Sequence, residues 1–118
     1  MDGPGKIWRD ALDEGRLLLP VDAGTREAFF PPRVAAPGTG NAVDWIEASG
    51  GGVVHSVSIV HPRPPEAPYA VVLVDLDEGV RIMSGVPRIE PDKVAIGMKV
   101  VARIDRSGDE PLLLFDPA

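Results

Sequence analysis

Apolar side chains crowd two runs in the middle of the chain, Val53–Val60 and Tyr69–Leu76. Both are dense in valine, isoleucine and leucine, which suit a pleated, half-buried surface, so each is expected to be a β-strand. In the second run Ala70, Val72, Val74 and Leu76 share one face and form the cleaner core stripe. Gly50, Gly51 and Gly52 precede the first run. Successive glycines let a strand bend or bulge there, as a small barrel requires. Asp77, Glu78 and Gly79 turn the chain into a third run, Val80–Val86, which continues the core face through Ile82, Ser84 and Val86. Further on, Pro91–Val94 reads as one helical turn opened by Pro91. Met98, Val100, Ala102 and Ile104 then alternate inward along a strand, a hairpin turn follows at 106–109, and Leu112–Phe115 is the last strand.

A glycine-bent first strand, a hairpin, a short helical connection and two closing strands is the order of an OB-fold. Residues 42–118 are therefore expected to form a five-stranded OB-fold barrel in a mainly β protein, entered through the alternating stretch VDWIEAS. The chain before it is different. Ile7, Trp8, Ala11 and Leu12 recur at helical spacing and predict a short helix over 5–15, within an N-terminal segment 1–16. Asp2 or Gly3 is placed to cap it, Pro4 suits its first turn, and Gly15 suits its end. A helix this short is unstable alone in water, so its apolar face must lie on its own domain or on a partner. Trp8 leads that face, and tryptophan is favoured at interface hot spots. Residues 17–41 show little periodicity, and Pro31-Pro32 excludes a helix and disfavours a central strand. This segment reads as an extended appendage of about two short hairpins.

A chain of 118 residues fits one domain plus such an appendage. The 13 prolines and 13 glycines gather at 31–40, 50–52 and 62–68, which fits short strands and ordered loops better than helices. The net charge of −6 argues against a non-specific nucleic-acid binder, which needs a basic surface to displace counterions. With no cysteine there is neither a disulfide nor a thiolate metal site. The first residues lack the apolar core of a signal peptide, and no apolar run approaches membrane-spanning length. The expected location is the cytoplasm, without membrane contact.

Candidate chemistry is sparse. His55 and His61 are the only histidines; six apart on one strand, they are expected on one face, roughly 20 Å from each other, too far for a shared metal. Ser56 and Ser58 lack the turn and the oriented histidine that make a nucleophile. Asp75, Asp77 and Glu78 sit at a hairpin end, where turn chemistry accounts for Asp77 and Gly79. Gly38-Thr39-Gly40 and the 50–52 glycines lack the lysine of a phosphate loop. Arg33, Arg63, Arg81 and Arg88 fall near loops or strand ends, where an arginine fork suits phosphate or carboxylate, or simply solvent. No catalytic residue and no metal ligand is assigned.

Several stretches nevertheless follow one another in a familiar order: Ile7-Trp8, Gly15-Arg16-Leu17, Phe30-Pro31-Pro32-Arg33, Trp45-Ile46-Glu47-Ala48-Ser49-Gly50, Pro68-Tyr69, Leu76-Asp77-Glu78-Gly79, Ile96-Gly97-Met98 and Phe115-Asp116-Pro117. In that order they resemble, over nearly the full length, the zinc-ribbon/OB-fold family of acyl-CoA-associated proteins, a domain of unknown function. Members of that family carry a short helix with a tryptophan, two Cys-x2-Cys pairs flanking a phenylalanine/proline/arginine motif, and an OB barrel. Here the four cysteine positions fall at Asp22, Thr25, Ala36 and Thr39. Alanine and threonine cannot replace thiolates for zinc, so residues 17–41 are expected to be a degenerate ribbon without metal, held by packing through Phe29, Phe30 and Leu18.

The resemblance implies a non-catalytic accessory subunit of a thiolase-like enzyme, or of a related aldolase or hydratase acting on acyl-CoA in lipid, steroid or polyketide-type metabolism. No cofactor is expected, with acyl-CoA as the ligand class. Trp8, Phe29, Phe30 and Arg33 are the expected partner contacts, because a small appendage that exposes aromatics is costly unless covered. The loop 62–68, with four prolines, is bracketed by His61 and Tyr69 and contains Arg63. His61, Arg63 and Tyr69 are the expected neighbours of CoA, where a cation meets phosphate and an aromatic ring lies against adenine. The alternatives are a stand-alone oligonucleotide-binding module, which needs exposed aromatic and basic residues on the barrel, and a small enzyme with an unrecognised site.

Overall fold

The computed structural model describes residues 3–118. It holds one helix, α1 (Pro4–Asp13), and seven strands: β1 (Leu18–Asp22), β2 (Val43–Glu47), β3 (Gly51–Val60), β4 (Tyr69–Leu76), β5 (Arg81–Ser84), β6 (Lys99–Asp105) and β7 (Leu112–Pro117). A single 3-10 turn lies at Pro91–Lys93. β1 and β2 pair as a small sheet, and the other strands form a five-stranded sheet in the order β5-β4-β3-β6-β7. The chain divides into two compact units. One holds the chain up to Ser49 with Glu78–Val80 and Ile104–Leu112; the other holds Gly50–Asp77, Arg81–Arg103 and Leu113–Ala118.

In the first unit, Pro4 opens α1 behind Gly3, which offers no side-chain cap. Asp2, the other expected cap, lies outside the described residues. The helix ends as its sequence predicts. Gly15 adopts φ +78°, its N–H donates to the Leu12 carbonyl at 2.9 Å, and the Arg16 N–H donates to the Ala11 carbonyl at 2.8 Å. This is the Schellman pattern, which only a residue free to take positive φ closes without strain. The Arg106 guanidinium adds a donor to the Asp13 carbonyl at 2.9 Å, a cation where the helix end is negative. Ala11 and Leu12 are buried, as are Leu17, Leu19 and Val21. β1 runs antiparallel to β2 from Leu18 opposite Glu47 to Asp22 opposite Val43. The strand expected to lead into the barrel thus pairs with the appendage instead. Its alternation marks a strand but says nothing about which strand it joins.

The second unit is built on β3 and β4. Val54, Val72, Val74, Leu76, Ile82, Val86, Val94, Val100 and Phe115 are buried. Val54 sits opposite Val74, yet Ser56 sits opposite Leu73, so His55 is an extra residue, a β-bulge. Directly opposed residues share a face. Gly52 and Val54 therefore face the core before the bulge, and Val57, opposite Val72, faces it afterwards. This parity change overturns the expectation that His55 and His61 share a face. Gly52 serves a different end from bulging: a Cβ there would stand 2.7 Å from Val74 Cγ1 and 2.8 Å from the Asp75 carbonyl oxygen, so only glycine lets β3 lie that close to β4. The expected barrel is not closed by a ladder: the five strands form an open sheet, and two hydrogen bonds link its edges. Ser84 Oγ donates to the Leu113 carbonyl at 2.7 Å, and the Phe115 N–H donates to the Gly85 carbonyl at 3.0 Å. β5 is four residues long and Pro87, without an N–H, follows soon after, so no longer ladder joins the edges among the described residues.

Candidate functional site

The small sheet positions two turns. In the first, at the end of β1, the Arg26 N–H donates to the Asp22 carbonyl at 2.7 Å and the Asp22 N–H donates to the Glu27 carbonyl at 2.9 Å. In the second, the Gly40 N–H donates to the Ala36 carbonyl and the Ala36 N–H to the Asn41 carbonyl, both at 2.9 Å. Asp22 joins them. Its Oδ1 accepts from the N–H groups of Gly24 at 2.7 Å and Thr25 at 3.1 Å and from Asn41 Nδ2 at 2.9 Å, and its Oδ2 accepts from Thr39 Oγ at 2.6 Å. Asp22 is 4% exposed. The Thr39 hydroxyl foremost, then the Asn41 amide and the turn N–H groups, hold this carboxyl well below the usual carboxylate range. The fold thus gathers all four positions that the resemblance assigns to thiolates. Ala36 is buried, while Thr25 turns its hydroxyl to the Glu27 N–H.

Beside these turns lie the residues expected to meet a partner. Trp8 and Phe30 stack on each other in a tilted pair, centroids 5.5 Å apart, and both are half-buried. Phe29 lines a small cavity with Asp22, Ala36 and Thr39. Arg33 differs: it is exposed at a groove of about 480 Å³ shared with Ile7, Val34, Val43 and Trp45. Val34 there is 84% exposed. The aromatic pair therefore covers itself, and the open apolar surface is the Arg33–Val34 groove. Among the described residues, the Trp8 indole nitrogen is a buried donor without a partner.

In the other unit the three residues expected near CoA separate. Tyr69, half-exposed, lines a groove of about 650 Å³ together with Pro68, Val86, Pro87, Pro91 and Leu114. Its cations are Arg88 and Lys93, and its single acid is Glu90. Asp116 holds Arg103 at 3.0 Å and reaches Arg88 at 3.5 Å. His61 lines a neighbouring hollow with Ile59, Ala67, Glu90 and Asp92. That hollow carries acids, which repel a phosphate. Arg63 lines neither. From sequence, Arg88 was one of four arginines near loops or strand ends and Lys93 only part of the turn opened by Pro91, and nothing in their spacing pointed to Tyr69.

Two other groups resolve into structure. Asp75 pairs with Arg81 at 2.7 Å, and His55 Nδ1 lies 3.3 Å from Arg81 Nη2 and 3.4 Å from Asp75 Oδ2. This cluster is half-exposed on the sheet face and of small energetic worth. Glu78 accepts from the Ser49 N–H at 2.9 Å. No cluster of three metal-ligating side chains occurs among the described residues, and none of the described helices is long and apolar enough to cross a membrane.

Comparison with known proteins places this geometry. A family model described as the C-terminal OB-fold domain of ChsH2 matches residues 45–105. Over 118 residues the chain is 37% identical to a probable enoyl-CoA hydratase alpha subunit of Thermomonospora curvata, a match covering 95% of this chain and 37% of that one. Against a DUF35 domain-containing scaffold protein of Methanocaldococcus jannaschii it is 33% identical over 122 residues, covering 93% of this chain and 84% of that one. Among solved structures, a chain of an Ltp2-ChsH2(DUF35) aldolase superposes with a TM-score of 0.87 at 34% identity, covering 99% of this chain and 96% of that one. The chain therefore spans little more than a third of the hydratase subunit, at 37%, but most of the archaeal scaffold protein, at 84%. The match at 33% identity over 84% of the archaeal scaffold protein, together with the family model over residues 45–105, makes the chain a member of the DUF35 family, with the OB-fold domain of ChsH2 type.

Proposed function

We propose that this protein is a non-catalytic accessory subunit that binds an enzyme acting on acyl-CoA, of thiolase-like, aldolase or hydratase type, and supports acyl-CoA binding or transfer there. The observation that carries the reading is coverage. The relatives that this chain matches over most of their own length are named scaffold proteins, and the solved chain it overlays at 99% and 96% comes from an aldolase that pairs Ltp2 with ChsH2(DUF35). The hydratase alpha subunit of Thermomonospora curvata supports the same class of chemistry. A stand-alone oligonucleotide-binding role finds less support, because the chain is acidic, at −6.

Within this reading the partner meets the Arg33–Val34 groove beside Ile7 and Trp45, where apolar surface is uncovered next to a cation. Trp8, Phe29 and Phe30, also expected as partner contacts, do not line that groove. The nucleotide end of CoA takes the Tyr69 groove, with Arg88 and Lys93 at its phosphates and the Tyr69 ring against its base. The cation role expected of Arg63 passes to these two residues, and His61 stands at the edge. CoA titration of the assembled complex tests this. Arg88→Ala and Lys93→Ala should each weaken CoA binding by about tenfold, the worth of one charge-assisted hydrogen bond. Tyr69→Ala should weaken it as well, while Arg63→Ala should leave it unchanged. Loss of affinity from Arg63→Ala alone would return the site to the proline loop.

A further inference from the structure

The Asp22 knot bears on how residues 17–41 keep their shape, independently of any partner. A zinc ion held between two turns needs several ligands that present electron pairs to one point. Here the four corresponding positions supply one carboxylate, two hydroxyls and a methyl group. The carboxylate is already taken. Two backbone N–H groups, an amide N–H and a hydroxyl converge on it, at 2.6–3.1 Å. Converging donors make a positive surround, which suits an anion and repels a cation. The residues present do not fit zinc.

We infer that Asp22 itself closes the two turns, an internal carboxylate bonded to both of them at the place where a metal would otherwise tie them. The first turn gives it the N–H groups of Gly24 and Thr25; the second gives it Thr39 and Asn41. Removing it takes bonds from both turns at once: among the described residues no other side chain bonds to both, and beside it only the backbone Ala23 N–H, donating to the Ala42 carbonyl at 2.9 Å, is left close by. A second observation agrees. A Cβ on Gly24 would stand 2.7 Å from Asn41 Nδ2 and 3.3 Å from Asp22 Oδ1, so a side chain there would push the Asn41 amide off the carboxylate. Phe29 and Ala36 line the small cavity beside it, and neither side chain bonds to either turn. The sequence alone pointed instead to packing through Phe29, Phe30 and Leu18.

The test uses the full chain, with amide hydrogen exchange and thermal melting as readouts. Asp22→Ala should lower Tm by at least about 5 °C, a sizeable shift for a domain of this length, and should strip protection from the Gly24 and Thr25 amides. Thr39→Val and Asn41→Ala remove one bond each and keep the carboxylate; each should lower Tm less and loosen the second turn first. One equivalent of zinc chloride, or excess EDTA, should leave the wild-type Tm unchanged, and metal analysis should find no stoichiometric zinc. The inference is overturned if EDTA lowers the wild-type Tm, if zinc copurifies one per chain, or if Thr39→Val and Asn41→Ala melt with the wild type while the Gly24 and Thr25 amides stay protected in Asp22→Ala.

Discussion

At the residue scale the most constrained positions are a buried acid, Asp22, and a glycine, Gly52. Asp22 is ionised in the fold below the pH at which a free aspartate protonates, because its hydrogen bonds favour the charged form. A carboxyl lowered by folding contributes stability that is complete above its unfolded pKa of about 3.9 and is lost as pH falls toward the folded value. Glu27 lines the same cavity, and the Arg26–Asp44 pair at 2.7 Å stands beside the turn. Asp44 and Asp75 are also lowered, first by hydrogen bonds from Arg26 and Arg81 respectively. Wild-type stability should therefore decline below about pH 4. Asp22→Asn should show a shallower decline there while keeping the part due to Asp44 and Asp75, read from urea midpoints at pH 2.5 to 6, values set about the unfolded pKa. Gly52 makes the second residue-scale prediction. Gly52→Ala places a methyl 2.7 Å from Val74 Cγ1, so β3 and β4 must part; unfolding free energy should fall by about 1–3 kcal/mol, measured by urea denaturation.

Elements show what the pattern of apolar positions can and cannot tell. The β4 stripe of Val72, Val74 and Leu76 is buried where its alternation puts it, and Pro91 opens a 3-10 turn where one helical turn was expected. Gly15 ends α1 as its position implied. Gly15→Ala forces a left-handed alanine into the Schellman closure and should cost about 1–2 kcal/mol, read from chemical denaturation, with loss of exchange protection confined to the end of α1 and the start of β1. Pairing was not legible. β2 has the alternation of a barrel strand but bonds to β1, since register and partner depend on residues distant in sequence. The bulge at His55 was also hidden, because Val53–Val60 is apolar enough on both faces to tolerate a change of parity. The Asp22 knot escaped for a different reason: read against cysteines, aspartate and threonine look like losses, whereas read as donors and an acceptor they complete each other.

For the whole molecule, the fold was readable from sequence and the candidate site only in part. Tyr69 lies in the larger groove, but its cations come from Arg88 and Lys93, brought there by the stretch between β5 and the 3-10 turn rather than by the neighbouring loop. The partner surface was expected from exposed aromatics; Trp8 and Phe30 instead cover each other and leave Arg33 and Val34 outward. An accessory subunit needs such a surface and needs no nucleophile of its own. Val34→Asp, at a position 84% exposed, should leave Tm unchanged within error and weaken retention of the partner on size-exclusion chromatography. The most direct measurement is a paired assay: acyl-CoA turnover by the purified chain alone, and by an aldolase, thiolase-like enzyme or hydratase from the same organism with and without the chain. The chain alone should show no turnover; with the enzyme it should form a stable complex and give higher turnover or tighter acyl-CoA binding, as an accessory role requires. Acyl-CoA turnover by the purified chain alone would contradict the non-catalytic role.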